Sequence, residues 1–170
     1  MRVTRFGWVV AIVSATWLAI GSPVASGAQP KARCTDASRR CVISAASKYI
    51  EALVSHDGSQ VPTAPNARRT ENGLETATSG EEIRNDLTTN QGDRAIYQSR
   101  DIRWFVDGTQ AIAYYLLDTS APGTSSPHTA TVHLAERFKV VRGLIQEIEA
   151  IFWVTPGPTP ASSQWPAPGG

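Results

Sequence analysis

The stretch TATVHLAERFKVVRGLIQEIEAIFWV, residues 129–154, decides the fold. Apolar and polar residues alternate on both sides of Val141-Arg142-Gly143, the pattern of two half-buried strands joined by a tight turn. Register then sets what faces the core, because a slip of one residue moves every side chain to the other face. A two-residue turn at Arg142-Gly143 places Glu136, Glu147 and Glu149 on one face with Leu134 and Phe138, where three carboxylates repel one another. A three-residue loop with Gly143 in a left-handed bulge position instead groups Val132, Leu134, Phe138, Val140, Leu144, Ile148, Ala150 and Phe152, and sets Arg137 against Glu147 on the opposite face. The second register is the expected one. In both, Glu136 stands on the apolar side.

That apolar face needs a cover, and the run from Cys41 to His56 supplies it. Val42, Ala46, Tyr49, Ile50 and Leu53 recur at helical spacing, with Thr35, Asp36 and Ser38 as N-cap side chains and Asp57-Gly58 as the stop. Val61 to Gly73 holds Pro62, Pro65 and Asn72-Gly73 and reads as a structured loop or short helix. Ser79-Gly80-Glu81-Glu82 is a capping box ahead of a short helix through Ile83 and Leu87. The period then becomes alternating: Ile96, Ile102, Trp104 and Val106 share one parity, Asp107-Gly108 marks a turn, and Gln110 to Asp118 returns as a strand. Helices followed by four long antiparallel strands give an α+β fold, a curved antiparallel sheet wrapped around N-terminal helices as a cone with an internal cavity.

The chain begins with Arg2 and Arg5, an apolar run from Gly7 to Ile20 and small residues through Ser26-Gly27-Ala28, the layout of a signal peptide over residues 1–28. Those 14 residues span about 21 Å as a helix, short of a hydrocarbon core of about 30 Å, so no stable membrane span is expected. Cleavage near Ala28 makes the protein secreted or cell-envelope. Removing two arginines takes Lys plus Arg from 16 to 14 against 15 acids, about −1, which leaves no basic field for nucleic acid. Residues 29–155 form one domain. Residues 156–170, with five prolines and three glycines, read as a disordered tail. In an exported chain Cys34 and Cys41 are expected as a disulfide, and since seven helical residues would separate them by about 10 Å, the helix must start after Cys34.

Lys48-Tyr49-Ile50-Glu51, Ala64-Pro65-Asn66-Ala67-Arg68-Arg69-Thr70-Glu71-Asn72-Gly73 and Gly143-Leu144-Ile145 resemble the nuclear transport factor 2-like cone fold, which includes SnoaL-like cyclases and ketosteroid isomerases. Thr70-Glu71-Asn72-Gly73 and Glu147-Ile148-Glu149-Ala150-Ile151 are similar to an uncharacterised secreted branch of that superfamily. The resemblance covers residues 38–154. It implies that Tyr49 stands where the isomerases keep a hydrogen-bond-donating tyrosine and Glu71 where they keep a proton-shuttling aspartate. Leu134 departs from the pattern, holding the place of the buried acid, while Glu136 lies two residues on and on the same face. A carboxyl in an apolar cavity has its charged form desolvated, which raises its pKa and lets it donate a hydrogen bond near neutrality.

The candidate catalytic residues are thus Glu71, Tyr49 and Glu136, with Asn72, Trp104, Phe138, Ile148 and Phe152 as ligand-binding residues. Each has a structural alternative: Glu71 capping its own turn, Tyr49 as a core tyrosine, Glu136 paired with Arg68 or Arg69. His56, His128 and His133 are too scattered for a metal site, and no cofactor is expected. No phosphate loop, G-x-S-x-G elbow or H-E-x-x-H is present. The resulting expectation is a protein that holds a small apolar or polyketide-like molecule and catalyses proton transfer of isomerase, cyclase or dehydratase type. The alternative is a non-catalytic ligand-binding or protein-interaction module, dimerising through the convex sheet face that bears Arg137, Lys139, Glu147 and Glu149.

Overall fold

The computed structural model describes residues 34–90 and 92–158. The signal segment and most of the Pro-rich tail lie outside the described residues. Helix α1 (Arg39–Ser55) opens with the Ser38 hydroxyl accepting from the Cys41 amide at 3.3 Å and closes at His56, whose backbone is left-handed at φ 55°. The Cys34–Cys41 disulfide, with Cα atoms 5.7 Å apart, ties the residues before the helix to its first turn. Strands β1 (Thr63–Glu71) and β2 (Leu74–Ala77) form a hairpin about Asn72-Gly73, and α2 (Gly80–Thr89) follows. Its cap is Ser79, which accepts from the Glu82 amide, while Glu82 reaches one residue beyond the predicted cap to accept from Thr78. Strands β3 (Ile96–Asp107), β4 (Gln110–Thr119), β5 (Ala130–Val141) and β6 (Leu144–Pro156) complete a six-stranded sheet in the order β2-β1-β6-β5-β4-β3.

Three sequence readings need correction. The segment read as a loop or short helix is strand β1, which runs parallel to β6 and makes the sheet mixed. Pro65 hides it, because proline breaks the ladder and the β1–β6 pairing is irregular between Thr63 and Arg68. The closing hairpin uses the two-residue turn: Val141 pairs with Leu144, and Arg142 and Gly143 both have positive φ, at 52° and 73°. The extra residue sits instead at Gln146, where the register shifts between Lys139 and Val140. From there Phe138 pairs with Ile148, Glu136 with Ala150 and Leu134 with Phe152, which restores the faces of the bulged register, with Arg137 opposite Glu149 where Glu147 was expected. Ile145 therefore replaces Leu144 as the fully buried residue, and Glu147 and Glu149 stay outside. A second irregularity, between Arg100 and Arg103 with Asp101 at φ 59°, turns Ile102 outward while Trp104 and Val106 face in.

The core lies between α1 and the inner face of the sheet. Val42, Ala46, Tyr49, Ile50 and Leu53 are buried against β3–β6, and Ile83 and Leu87 of α2 pack on β1. The close approach of α2 to β1 needs a glycine: a Cβ on Gly80 would overlap the Ala64 carbonyl oxygen and the Thr63 side chain. Gly80→Ala is therefore expected to destabilise the fold by about 1–3 kcal/mol, measured by urea unfolding. Unchanged stability would show that α2 does not press on β1 this closely.

Candidate functional site

The registers align two rows across the inner face. One runs Arg69, Ile148, Phe138, Ala111, Val106; the next runs Glu71, Ala150, Glu136, Ala113, Trp104. In the second row the two glutamates are separated by one strand, about 9–10 Å between their Cα atoms. Alanine stands on each side of Glu136, so the carboxyl has small neighbours within its own row. Leu134, Tyr115 and Phe152 form the next row toward the ends of β4 and β6.

Glu136 is 1% exposed. Its Oε2 accepts a hydrogen bond from the Tyr115 hydroxyl at 2.6 Å. Burial pushes its carboxyl up to about 8, the Tyr115 hydrogen bond pulls it down, and the Glu71 charge adds to the rise. Burial raises the phenols of Tyr49 and Tyr115 well above their ordinary range, and the Glu136 charge pushes them the same way. Among the described residues Glu136 makes no ion pair, so the predicted alternative of pairing with Arg68 or Arg69 is not adopted. Arg68 pairs with Glu75 on the outer side.

Arg69 takes a different set of partners. It is 3% exposed, yet its Nε donates to Thr76 at 2.9 Å and lies 3.3 Å from Glu71, its Nη1 donates to the Tyr49 hydroxyl at 3.5 Å, and its Nη2 pairs with Asp86 of α2. Burial alone would lower its pKa; Tyr49, Asp86 and Glu71 more than offset this and hold it above the ordinary arginine range. Asp93, on the short turn before β3, is pushed up to about 6 by burial and by the charge of Asp86.

The predicted residues thus gather at one place. Tyr49 presents from α1, with its ring edge-on to Phe138 at 5.6 Å. Phe138 and Ile148 are fully buried beneath it, Trp104 lies 6.2 Å from Phe138, and Phe152 is half-buried. Glu71 ends β1 with its side chain about one-third exposed. Asn72 stands at the strand edge, where its carboxamide accepts from the Phe152 amide at 2.9 Å and donates to the Phe152 carbonyl at 3.2 Å. Sequence reasoning missed Tyr115, Asp86 and Asp93. Tyr114-Tyr115 and Arg68-Arg69 are adjacent pairs that a strand sends to opposite faces, and only the register tells which member points inward. Among the described residues, the three that cluster at metal-binding distance are Cys34, Asp36 and Cys41, and both sulfurs are committed to the disulfide.

The shifted carboxyl has a consequence for stability. Below about pH 4.5 Glu136 is protonated in folded and unfolded chains alike. Between there and about 8 the unfolded chain releases that proton while the folded chain keeps it, so stability falls as pH rises, then levels off. Glu136→Gln cannot titrate. Its unfolding free energy is expected to lack this decline and to exceed that of the unaltered protein by a few kcal/mol at pH 8. Parallel urea curves at pH 5 and 8 check it, and an identical pH dependence in both proteins would refute the assignment.

Solved structures place this geometry among known folds. An LEH-like epoxide hydrolase of M. tuberculosis superposes with a TM-score of 0.55 at 17% identity, over 67% of this chain and 84% of that one. A protein from Kribbella flavida assigned to the ketosteroid isomerases gives 0.54 at 17% identity, over 79% and 92%. A nuclear transport factor 2-like protein of unknown function from Cytophaga hutchinsonii gives 0.50 at 12% identity, over 66% and 89%. The shared architecture is the nuclear transport factor 2-like cone. No curated protein matches the chain by sequence. A family model matches residues 35–152, and the chain belongs to that family, the domain of unknown function DUF8021.

Proposed function

We propose that this chain is an exported, cofactor-free enzyme that transfers a proton within a small, largely apolar ligand, with an isomerisation, cyclisation or dehydration as the outcome. The observation that carries this reading is the row holding a partly exposed carboxylate, Glu71, and a buried carboxyl raised to about 8, Glu136. Glu71 removes the proton from carbon; Glu136 and Tyr49 donate to the oxygen on which negative charge develops. Trp104, Phe138, Ile148 and Phe152 supply apolar contact, and Asn72 holds the rim of β1 to β6 next to the base. Folds shared with proteins described as an epoxide hydrolase and a ketosteroid isomerase support the reading. The disulfide and the signal-like leader of the sequence support export. Among the described residues no helix is long and apolar enough to cross a membrane.

Nitrobenzisoxazole is a suitable probe, since its ring opening removes one carbon-bound proton and leaves the charge on one oxygen. The protein is expected to accelerate this opening over buffer, and Glu71→Gln to lower the rate by about 10² or more with the fold intact. No acceleration by the unaltered protein, or full activity in Glu71→Gln, sinks the reading.

The outer face favours one addition, a homodimer through the sheet. The network of Arg137 with Glu147 and Glu149, and of Lys139 with Glu147, borders exposed apolar residues: Phe105, Tyr114, Ile151 and Trp153 are 59%, 43%, 59% and 58% exposed. Tyr114, Ala135 and Ile151 are successive neighbours across three strands, so the apolar surface is continuous. A face with both signs of charge beside an apolar stripe can meet its own copy. Sedimentation is expected to show a dimer that Ile151→Glu converts to monomer. A monomeric unaltered protein at tens of micromolar rules the dimer out.

A further inference from the structure

Tyr115 has no role in the scheme above, yet among the described residues it is the hydrogen-bond donor to the buried acid, at 2.6 Å to Oε2 of Glu136. It projects from β4, opposite Leu134 and one row toward the ends of β4 and β6, so it approaches the carboxyl from the side away from Glu71, which lies beyond β6. A carboxyl oxygen that already accepts a short hydrogen bond is the poorer site for the acid's own proton. Both groups are buried, 3% and 1% exposed, so water does not scramble the arrangement. The guanidinium that could have claimed Glu136 is occupied by Glu71, Asp86, Thr76 and Tyr49.

We infer that Tyr115 is a positioning residue: by occupying Oε2 of Glu136 it confines the carboxyl proton to Oε1, and so makes the buried acid a one-directional donor to the acceptor oxygen of a neutral ligand. The inference rests on the proton-transfer reading for its catalytic meaning, though the hydrogen-bonded pair exists without it. In the reaction the C–H bond breaks and its proton goes to Glu71; the electron pair moves onto the ligand oxygen, which takes a hydrogen bond or the proton itself from Oε1. The carboxylate left at Glu136 keeps the Tyr115 O–H as its stabilising donor. Return of both protons restores the site, so no co-reactant is needed. The ligand class follows. It carries a neutral carbonyl oxygen next to an acidic C–H, because a carboxylate ligand would meet Glu71, Asp86 and Glu136 against the single guanidinium of Arg69.

The test uses Tyr115→Phe, with Glu136→Gln to assign signals. First, the carboxyl of Glu136 is titrated in the ligand-free protein by infrared difference spectroscopy, its band identified by loss in Glu136→Gln. Removing the hydroxyl takes away the hydrogen bond that lowers this group, so the titration is expected to move to higher pH in Tyr115→Phe. An unmoved titration overturns the inference, whatever the fate of the Glu71 reading. Second, with nitrobenzisoxazole, Tyr115→Phe is expected to lower kcat about tenfold or more with little change in KM, and to carry the high-pH limb of the rate profile upward with the titration. A merely structural tyrosine would cost stability and leave the limb in place, and that result also overturns the proposal. Should Tyr115→Phe fail to fold, Tyr115→Met, which fills part of the space and has no donor, is titrated in the same way against the same two outcomes.

Discussion

The placement of the inward-facing groups of β6, and of β1 paired with it, depends on one extra residue, Gln146. The turn at Arg142-Gly143 by itself commits β5 and β6 to a register in which Glu136 would face Glu149 and Phe138 would face Glu147. The bulge adds one residue to β6 and shifts the pairing, so that Ala150 and Ile148 come opposite instead. Two carboxylates thereby leave the interior and meet Arg137 and Lys139 on the outer face. Because β6 also pairs with β1, the same shift aligns Glu71 with Ala150 and Arg69 with Ile148. A single local irregularity sets which acids are inside and which partner each one has.

The interior then sorts its charges by partner. Arg69 is surrounded by oxygen atoms from α1, β1, β2 and α2, so one guanidinium bridges four elements. Burying such a group is costly unless its N–H donors are used, and here Nε, Nη1 and Nη2 all are. Glu136 lies outside that set. Without a cation in contact, its lowest-energy state in an apolar interior is the neutral acid, and a phenol is enough to satisfy one of its oxygens. One buried cation and one unpaired buried acid are therefore linked features: a guanidinium committed to Asp86 and Glu71 leaves Glu136 protonated.

The architecture was largely legible in the chain. Alternation in residues 96–154, helical spacing from Val42 to Leu53 and the capping box at Ser79 locate both helices and four of the six strands. The other two escaped because Pro65 interrupts the alternation of β1 and because β2 has only four residues. The inner location of Tyr49, Glu136 and Phe138 follows from periodicity, and that of Ile148 from periodicity once Glu147 and Glu149 are kept outside. Tyr115 and Arg69 do not, because each has a twin beside it in sequence and strand parity must be anchored by a register that bulges at 101–102 and 146 alter. Asp86 and Asp93 join the site only through the docking of α2 and of the turn before β3, which no local pattern encodes.

A buried acid of this kind is a poor choice for stability. An apolar residue of similar size at position 136 would face Ala113 and Ala150 without any ionisation penalty, and the Tyr115 hydroxyl would then need another partner. The pair is thus self-consistent but expensive, and the expense grows with pH as the unfolded chain releases the proton that the folded chain keeps. The structure concentrates this cost at Glu136, with a smaller share at Asp93, whose carboxyl burial raises to about 6. Every other inward acid is paired or partly hydrated, as with Asp86 and Glu71 at Arg69, while the surrounding surface of Leu134, Phe138, Ile148 and Ala113 is apolar. A lone proton donor set in an apolar wall, with an ion-paired carboxylate two strands away, is an arrangement that packing and stability alone do not call for. The proposed proton transfer rests on this arrangement.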